Sequence, residues 1–476
     1  MEGSRAKMID PQDDTLAFTS AVELQKLVVS GKVDVSELLD YFFQRIKATD
    51  GKYSSFLHLN TEGVEGYVES LKKNGDIHIH PLMGVPLVIP DSLHLKETPM
   101  TYGSKLLENH ISKEDSAEVA NLKEAGAFVL GKTNISEFSI AYETRNELIP
   151  PTRNPLNLKF SPGGPAGGSG AAVAAGLAPC ALASDITGGL RLTASFCGLI
   201  GLMPTRGAIP IKYKHFLTYS DQMLFRKGII ARCVEDIALL FDFLMIHQVR
   251  DKVSSCVLNN KTMLEAIKPQ ERGMRIAMSE DLGYVCVDPQ VRKVLREVRK
   301  KLESMGHCVE EIQTHINPDC DQHMRHMLAA DRANVILRLL REVGKTPDRL
   351  GSYARSALEE GDAVTGIQYS MGTVAIEWMK KRMGEILIHY DMLLVPTAPI
   401  GPYPIANIHK AEIGITGEQV NQSSLLTAPF NMSGNPVITL PGGLSREGLP
   451  IGFQLVGRLF EESRLLNIAK AYTQTN

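Results

Sequence analysis

The segment from Ser161 to Pro210, SPGGPAGGSGAAVAAGLAPCALASDITGGLRLTASFCGLIGLMPTRGAIP, is the most informative part of this chain for its fold. It contains two glycine clusters, at residues 163–168 and 188–189, and a run of small residues that joins them. Small residues allow one backbone to pack closely against another. Glycine-rich turns at this density usually bring main-chain N–H groups close to a ligand or to a developing charge. The segment therefore predicts a tightly packed centre with a binding turn.

Composition sets limits on the class of protein. The chain has 476 residues, is 43% hydrophobic and carries a formal net charge of only −3, so it is long enough to bury a large core. It has no long block of like charge, and we expect no nucleic-acid partner. Residues 1–15 form a polar tail without a secretory signal, and no apolar run reaches the ~18 residues that span a bilayer. Seven cysteines without a CxxC pair indicate free thiols, and the predicted location is the cytoplasm.

Hydrophobic periodicity predicts the secondary structure on either side of the central segment. Two helices joined at Gly31-Lys32 are predicted within residues 16–48. A β-α-β order follows, with a strand at Leu82–Ile89, a helix at Ser116–Ala125 and a strand at Ala127–Leu130, after which residues 131–134 are predicted to turn. Residues 126–133, GAFVLGKT, fit the phosphate-loop pattern, but their apolar centre indicates the strand itself. This order predicts an α/β fold with a mixed sheet covered by helices.

These motifs resemble the signature of the amidase signature family, serine hydrolases that cleave amides with a Ser, cis-Ser, Lys triad. In that family the glycine clusters read roughly SPGGSSGG and DxGGS(I/V)R. The matching positions here are Ser161, Pro162, Gly163, Gly164, Gly167, Gly168, Asp185, Gly188, Arg191, Phe196, Cys197, Gly198, Gly201, Pro204 and Thr205. The resemblance implies one α/β domain over residues 16–475, with a mixed, twisted β-sheet surrounded by helices. A helical section at about 320–388 would cap its cleft.

The three catalytic positions of that family are substituted in this sequence. Aligned without gaps, the family nucleophile falls on Gly189, the bridging cis-serine on Pro165 and the lysine on Pro90. None of these side chains can attack a carbonyl or relay a proton. We therefore expect a degenerate homologue that is inactive as an amide hydrolase. It would keep a cleft for a small amide, acyl or carboxylate ligand, or act as a scaffold.

The resemblance also implies two features of the backbone. The bridging serine of the family follows a cis peptide bond, and proline tolerates that bond far better than other residues, so we predict a cis bond between Gly164 and Pro165. The main-chain N–H groups at the second cluster would form an oxyanion hole. In this chain they belong to Ile186, Thr187, Gly188 and Gly189, which we take as the ligand-binding residues.

Other functions stay open at this point. The main alternative is an active amidase-like hydrolase or acyl transferase with relocated catalytic groups, for which Thr187 and His94 are the candidates. A third is a component resembling the amidase chain of a transamidosome, which would need the missing triad. A homodimer is left open, and we expect no cofactor. We also expect no metal, because His315, His323 and His326 lack an accompanying carboxylate or cysteine pattern.

Overall fold

A computed structural model describes residues 14–75, 80–210, 218–245, 262–267, 272–405 and 422–475. Its strands form one sheet. They are β1 (Phe56–Leu59), β2 (Pro86–Pro90), β3 (Phe128–Thr133), β4 (Cys180–Asp185), β5 (Ile200–Met203), β6 (Arg226–Ala231), β7 (Arg275–Met278), β8 (Cys308–Glu311), β9 (Met392–Pro396), β10 (Val437–Leu444) and β11 (Pro450–Val456).

Helices follow or precede most of these strands in the chain. They are α1 (Asp14–Ala17), α2 (Ala21–Val29), α3 (Val35–Thr49), α4 (Thr61–Asn74), α5 (Ala117–Glu124), α6 (Gly167–Ala174), α7 (Gly189–Phe196), α8 (Tyr219–Leu224), α9 (Val234–Leu244), α10 (Met263–Ala266), α11 (Pro289–Ser304), α12 (Asp319–Val343), α13 (Ser352–Asp362), α14 (Gly366–Leu387), α15 (Ala428–Ser433) and α16 (Glu462–Gln474).

The sheet is mixed, as the sequence predicts. Its strand order is β1-β3-β2-β4-β6-β5-β10-β11-β9-β7-β8. Strands β3, β2 and β4 run parallel at one end, and β9, β7 and β8 run parallel at the other. The strands between them pair antiparallel. Both glycine clusters of the central segment therefore border β4, close to the middle of the sheet.

Both faces of the sheet are covered by apolar side chains, because successive residues of a strand point to opposite faces. Along β2, Leu87 and Ile89 join a core formed with α5, α9 and α16, whereas Val88 joins a second core formed with α2 and α3. A third core lies between the β7–β9–β11 region and the helices α12, α14 and α15. The predicted α/β fold, one domain with a large mixed sheet flanked by helices, is confirmed.

The local predictions differ in accuracy. The two N-terminal helices and the helical section from residue 320 to 388 are confirmed, the latter as α12, α13 and α14. The predicted turn at 131–134 is wrong, because β3 continues to Thr133. Strand β3 is paired with β1 on one edge and with β2 on the other, so its ladder overrides the turn preference of Gly-Lys-Thr. The predicted tail, residues 1–15, lies outside the described residues except for its last two.

Two glycines, one closely packed and one with open space around it, provide a test of this packing. Gly228 lies in β6, where an added Cβ atom would stand 2.1 Å from the Leu202 carbonyl oxygen. We expect Gly228→Ala to lower the free energy of unfolding by ~1–3 kcal/mol, because the backbone must move to accept the methyl group. Chemical denaturation measures the change.

The matched control is the same substitution at Gly66, inside α4, where an added Cβ atom meets nothing within 4 Å. We expect Gly66→Ala to raise the free energy of unfolding by ~0.5–1 kcal/mol, because alanine loses less backbone entropy than glycine in a helix. Equal effects of the two substitutions would contradict the described packing of β6.

Candidate active site

The structure brings the two glycine clusters together. Gly163 and Gly164 have positive φ angles of 81° and 68°, which turn the chain into α6. A Cβ atom added at Gly189 would lie 3.1 Å from Cγ of Pro165, so two of the three positions that the resemblance assigns to catalysis are neighbours. The third, Pro90, ends β2 and pairs in register with Thr133. This region, at the carboxyl ends of β2 and β4, is the candidate site.

The predicted cis bond before Pro165 is wrong. The described residues contain no cis peptide bond. The two preceding glycines account for the difference, since their left-handed conformations redirect the chain without one. The Pro165 carbonyl then accepts a hydrogen bond from Ser136 N–H at 2.8 Å, and the Gly164 carbonyl accepts one from the Thr144 hydroxyl at 2.9 Å.

A fully buried ion pair holds the second cluster in place. Arg191 binds both carboxylate oxygens of Asp185, with Nε and Nη2 each at 2.9 Å. The same guanidinium donates to the Thr427 carbonyl at 2.9 Å, and Asn431 bridges the pair from α15. Burial alone would raise the pKa of Asp185, but the charge of Arg191 and the hydrogen bonds from Arg191, Asn431 and Gly188 lower it below its usual value. The turn that follows Asp185 is therefore anchored at both ends.

The backbone N–H groups of this turn are only partly free. Gly188 N–H donates to Asp185 Oδ1 at 2.8 Å, so it is not available to a ligand in this conformation. Ile186, Thr187 and Gly189 have N–H groups without an acceptor among the described residues. Residue 188 must be glycine, because its φ is 123° and an added Cβ would lie 2.2 Å from Thr427 Oγ1. Three of the four proposed oxyanion-binding residues thus keep a free donor.

A chain of polar side chains begins at Thr187. Its hydroxyl lies 2.9 Å from the phenol oxygen of Tyr142, which donates to Ser424 Oγ at 2.8 Å. Arg325, on α12, donates to the same Ser424 oxygen at 2.9 Å and is paired with Asp321. Thr187 and Ser424 are buried, whereas Tyr142 and Arg325 are half-buried. The chain therefore connects a hydroxyl at the glycine turn to a positive charge on the helical section.

His94, the other candidate, is not brought to Thr187. Its Nδ1 hydrogen-bonds to Ser112 Oγ at 2.7 Å, and no hydrogen bond between described residues joins it to Thr187. Burial, and then the positive charges of Lys132 and His110, lower the pKa of His94 to about 4. Such an imidazole is neutral near pH 7 and a weak base.

A buried carboxylate lies next to Tyr142 in the chain. Glu143 is 5% exposed, and its nearest positive group is Arg145, whose Nε is 3.4 Å from its Oε2. Burial raises the pKa of Glu143 to about 7, and Arg145 opposes the shift. Glu143 is therefore the carboxylate of this region that changes charge near neutral pH.

The comparisons with known proteins cover nearly the whole chain. The family model described as Amidase matches residues 37–466. One of the subunits of glutamyl-tRNA(Gln) amidotransferase from Exiguobacterium sibiricum is 32% identical, with 94% of this chain and 95% of that protein covered. A solved 6-aminohexanoate cyclic dimer hydrolase has a TM-score of 0.87, 27% identity and 96% coverage of both chains. A solved bacterial aryl acylamidase, at 22% identity, shares the fold with a TM-score of 0.89 and 96% coverage of both chains.

The fold is shared with these solved enzymes. The chain belongs to the amidase family.

This finding corrects the expectation of a degenerate, inactive homologue. The relatives that match nearly the full length of the chain are named as part of an amidotransferase and as a hydrolase. They favour the alternative, an active amidase-type enzyme. Pro90, Pro165 and Gly189 carry no hydroxyl or amine, so the catalytic groups of such an enzyme must be sought among their neighbours.

The sequence did not reveal most of the polar chain. Tyr142, Arg325 and Ser424 lie far apart in the sequence and outside the glycine clusters. One signal was available: Arg325 and Arg332 are seven residues apart in a predicted helix and so share a face.

Among the described residues no cluster of three or more His, Cys, Asp or Glu is arranged to hold a metal ion. In the same residues, no helix combines the length and hydrophobicity needed to cross a membrane.

The buried ion pair makes a prediction about stability. We expect Arg191→Met to lower the free energy of unfolding by ~3–5 kcal/mol, because it leaves the Asp185 carboxylate buried without its counter-charge. The double substitution Asp185→Asn with Arg191→Met should recover part of this loss. Urea denaturation of both variants measures the difference, and a double variant no more stable than the single one would contradict the explanation.

Glu143 makes a prediction about pH. Because its pKa in the folded protein, about 7, exceeds its ordinary value of 4.5, its contribution to stability is complete below pH 4.5 and is lost as the pH rises to about 7. We expect the free energy of unfolding of Glu143→Gln to increase by ~1–3 kcal/mol relative to that of the parent protein as the pH rises across this interval. Denaturation at a series of pH values tests it, with Glu147→Gln, a half-exposed carboxylate, as control. If the free energies of unfolding of Glu143→Gln and of the parent protein changed equally with pH, the raised pKa of Glu143 would be refuted.

Proposed function

We propose that this protein is an amidase-type enzyme that breaks amide C–N bonds, with Thr187 as the nucleophile and Tyr142 as its proton acceptor. The observation that carries the proposal is the 2.9 Å contact between the Thr187 hydroxyl and the Tyr142 phenol oxygen, at the turn that defines the family site. A nucleophile and its base within hydrogen-bond reach are the geometric requirement of this chemistry.

The proposed reaction has two stages. Thr187 Oγ1 attacks the amide carbonyl, and its proton moves to the Tyr142 oxygen as Tyr142 gives its own phenol proton to the amide nitrogen. The tetrahedral intermediate then breaks its C–N bond, and the protonated nitrogen leaves as the amine. In the second stage the acyl group is released from Thr187 Oγ1. Water attacks it in a hydrolase, whereas an amine or alcohol attacks it in a transferase. His94 is replaced in this scheme because it is hydrogen-bonded to Ser112 instead.

Two surrounding features support the scheme. The N–H groups of Ile186 and Gly189, which have no acceptor among the described residues, lie on the same turn as Thr187 and are suited to hold the negative carbonyl oxygen of the intermediate. Arg325 and Ser424 lie beyond Tyr142 and place a positive charge next to the oxygen that accepts the proton. A guanidinium in this position stabilises negative charge on the phenol oxygen during transfer.

The proposal predicts which substitutions abolish activity. With a panel of short aryl and aliphatic amides that includes pentanamide, we expect turnover by the parent protein. Thr187→Val should reduce kcat/KM on the order of a thousandfold, because the valine lacks the attacking oxygen. Tyr142→Phe should reduce it by ~10²- to 10⁴-fold, because phenylalanine can neither accept the Thr187 proton nor pass one on. Mass spectrometry measures product formation.

Two controls separate this scheme from others. Thr187→Ser keeps the hydroxyl and should retain measurable activity. His94→Gln should leave kcat/KM within about threefold of the parent, because His94 lies outside the scheme. Undiminished turnover by Thr187→Val would eliminate Thr187 as the nucleophile.

A second candidate is amide cleavage by a chain that works as one component of a larger enzyme. The observation in its favour is that the relative with 32% identity is named as one of the subunits of an amidotransferase. Affinity purification of the tagged chain from its own cell extract, followed by mass spectrometry and size measurement, distinguishes the candidates. A stoichiometric second protein supports the larger enzyme, and a pure monomer or homodimer that turns over amides supports the independent one.

A further inference from the structure

The outer side of α14 carries a stripe of apolar side chains, called here the α14 stripe. Its members are Ile367, Met371, Val374 and Trp378. They are spaced by four, three and four positions, so they lie within about 60° of one another around the helix. Ile367 is 80% exposed, Val374 is 54% exposed and Met371 is 38% exposed. The stripe therefore presents about 16 Å of apolar helix surface to the outside.

The α14 stripe is separate from the face that α14 buries. The buried face packs closely against α12, since a Cβ atom added at Gly372 would lie 2.5 Å from Met327 Cβ. Exposed positions of the amphipathic helix α11 are charged instead: Lys293, Arg296, Glu297 and Lys300. A single exposed apolar side chain is ordinary, whereas several in helical register form a patch of the kind that proteins use for association.

Charges of opposite sign lie beyond the two ends of the stripe. Lys381 continues its line by three positions past Trp378; this side chain is 79% exposed and only loosely paired with Glu385, at 3.9 Å. Before the stripe, α13 ends at Asp362, which is exposed and forms no ion pair with another described residue. Glu359, also exposed, lies one turn earlier. The surface is thus acidic before the stripe, apolar along it and basic after it.

This order of groups is complementary to its own reverse. If two copies of α14 pack antiparallel about an axis between Met371 and Val374, Ile367 of each copy lies opposite Trp378 of the other. The same symmetry brings Lys381 of each copy to the link between α13 and α14 of the other, which follows Asp362. Antiparallel packing also places the positive end of one helix dipole near the negative end of the other. A two-fold interface requires a patch that matches itself in this way.

We propose that the α14 stripe is a homodimer interface, in which α14 packs antiparallel against α14 of a second copy of this chain. Burial of the apolar side chains drives the association, and the contacts between Lys381 and Asp362 fix its orientation. Because α14 shares a core with α12, which carries Arg325, the dimer holds the helical section of the candidate site from its outer side. The inference uses no group of the glycine turn and is independent of the proposed chemistry.

Sedimentation velocity of the whole chain over a range of concentrations tests the dimer. An interface built on one helix from each copy is small, so we expect a Kd of ~1–100 µM. Val374→Glu should weaken the dimer at least about tenfold, because it places two carboxylates near the axis. The variant should fold normally, since Val374 is exposed and glutamate favours helix more than valine does. The matched control is Leu444→Glu, at a 66% exposed position of β10, which should leave the Kd unchanged.

Charge reversal tests the antiparallel orientation. Asp362→Lys or Lys381→Glu alone should weaken the dimer by ~3- to 10-fold at low salt, because like charges then meet across the interface. The double variant should return to within about twofold of the parent protein, because opposite charges meet again. Lys293→Glu, a reversal on the exposed face of α11, is the control and should change nothing. Circular dichroism and the melting temperature show that each variant is folded.

Four results would overturn the interface. They are a parent protein that stays monomeric up to about 100 µM, a Val374→Glu variant that dimerises like the parent, a double reversal no stronger than the single ones, and occupation of the stripe by lipid. The last is detected as a monomer that sediments with phosphatidylcholine–phosphatidylserine vesicles and stops doing so in Val374→Glu. Thr187→Val is expected to dimerise like the parent, so loss of activity and loss of the dimer are distinguished.

Discussion

The ion pair between Asp185 and Arg191 is the interaction that holds the centre of this protein together. Both side chains are fully buried, and the pair joins the end of β4 to the first turn of α7. It also fixes distant parts of the chain, because Arg191 donates to the Thr427 carbonyl and to Gln454 on β11. Two charges inside a protein are tolerated only when they are paired and further hydrogen-bonded. Their presence therefore commits this whole region to one arrangement.

That arrangement explains how the turn keeps its shape whatever side chains stand at positions 90, 165 and 189. The turn is positioned by the ion pair, by Gly188 and by the packing of Thr427, and none of these needs a hydroxyl at 189 or an amine at 90. Gly189 and Pro165 are neighbours at this turn, since a Cβ atom added at Gly189 would lie 3.1 Å from Pro165 Cγ. The backbone of the turn, with its N–H groups, is thus held in place independently of the side chains at 90, 165 and 189. The same turn carries the Thr187 hydroxyl, which lies beside Tyr142.

Sequence reasoning succeeded for features encoded by neighbouring residues and failed where distant residues meet. The N-terminal helix pair and the three helices from residue 320 to 388 follow from apolar periodicity. The cis bond at Pro165 was inferred from the family resemblance and the residue type at 165, whereas the conformation depends on Gly163 and Gly164 and on the groups that bind their carbonyls. The pairing of Thr187 with His94 failed for the same reason: Tyr142, not the histidine, was brought to Thr187 by the fold.

Residue type and local periodicity were enough to predict the class of fold, and the resemblance of the glycine clusters indicated the family, because both are written in neighbouring positions of the chain. Which polar groups meet at the glycine turn emerged only from the folded molecule. Tyr142 and Ser424 are separated by 282 positions in the chain, yet their hydroxyl oxygens lie 2.8 Å apart. No local pattern records such a contact, because it results from the packing of α12 and the residues before α15 in one core with β7, β9 and β11.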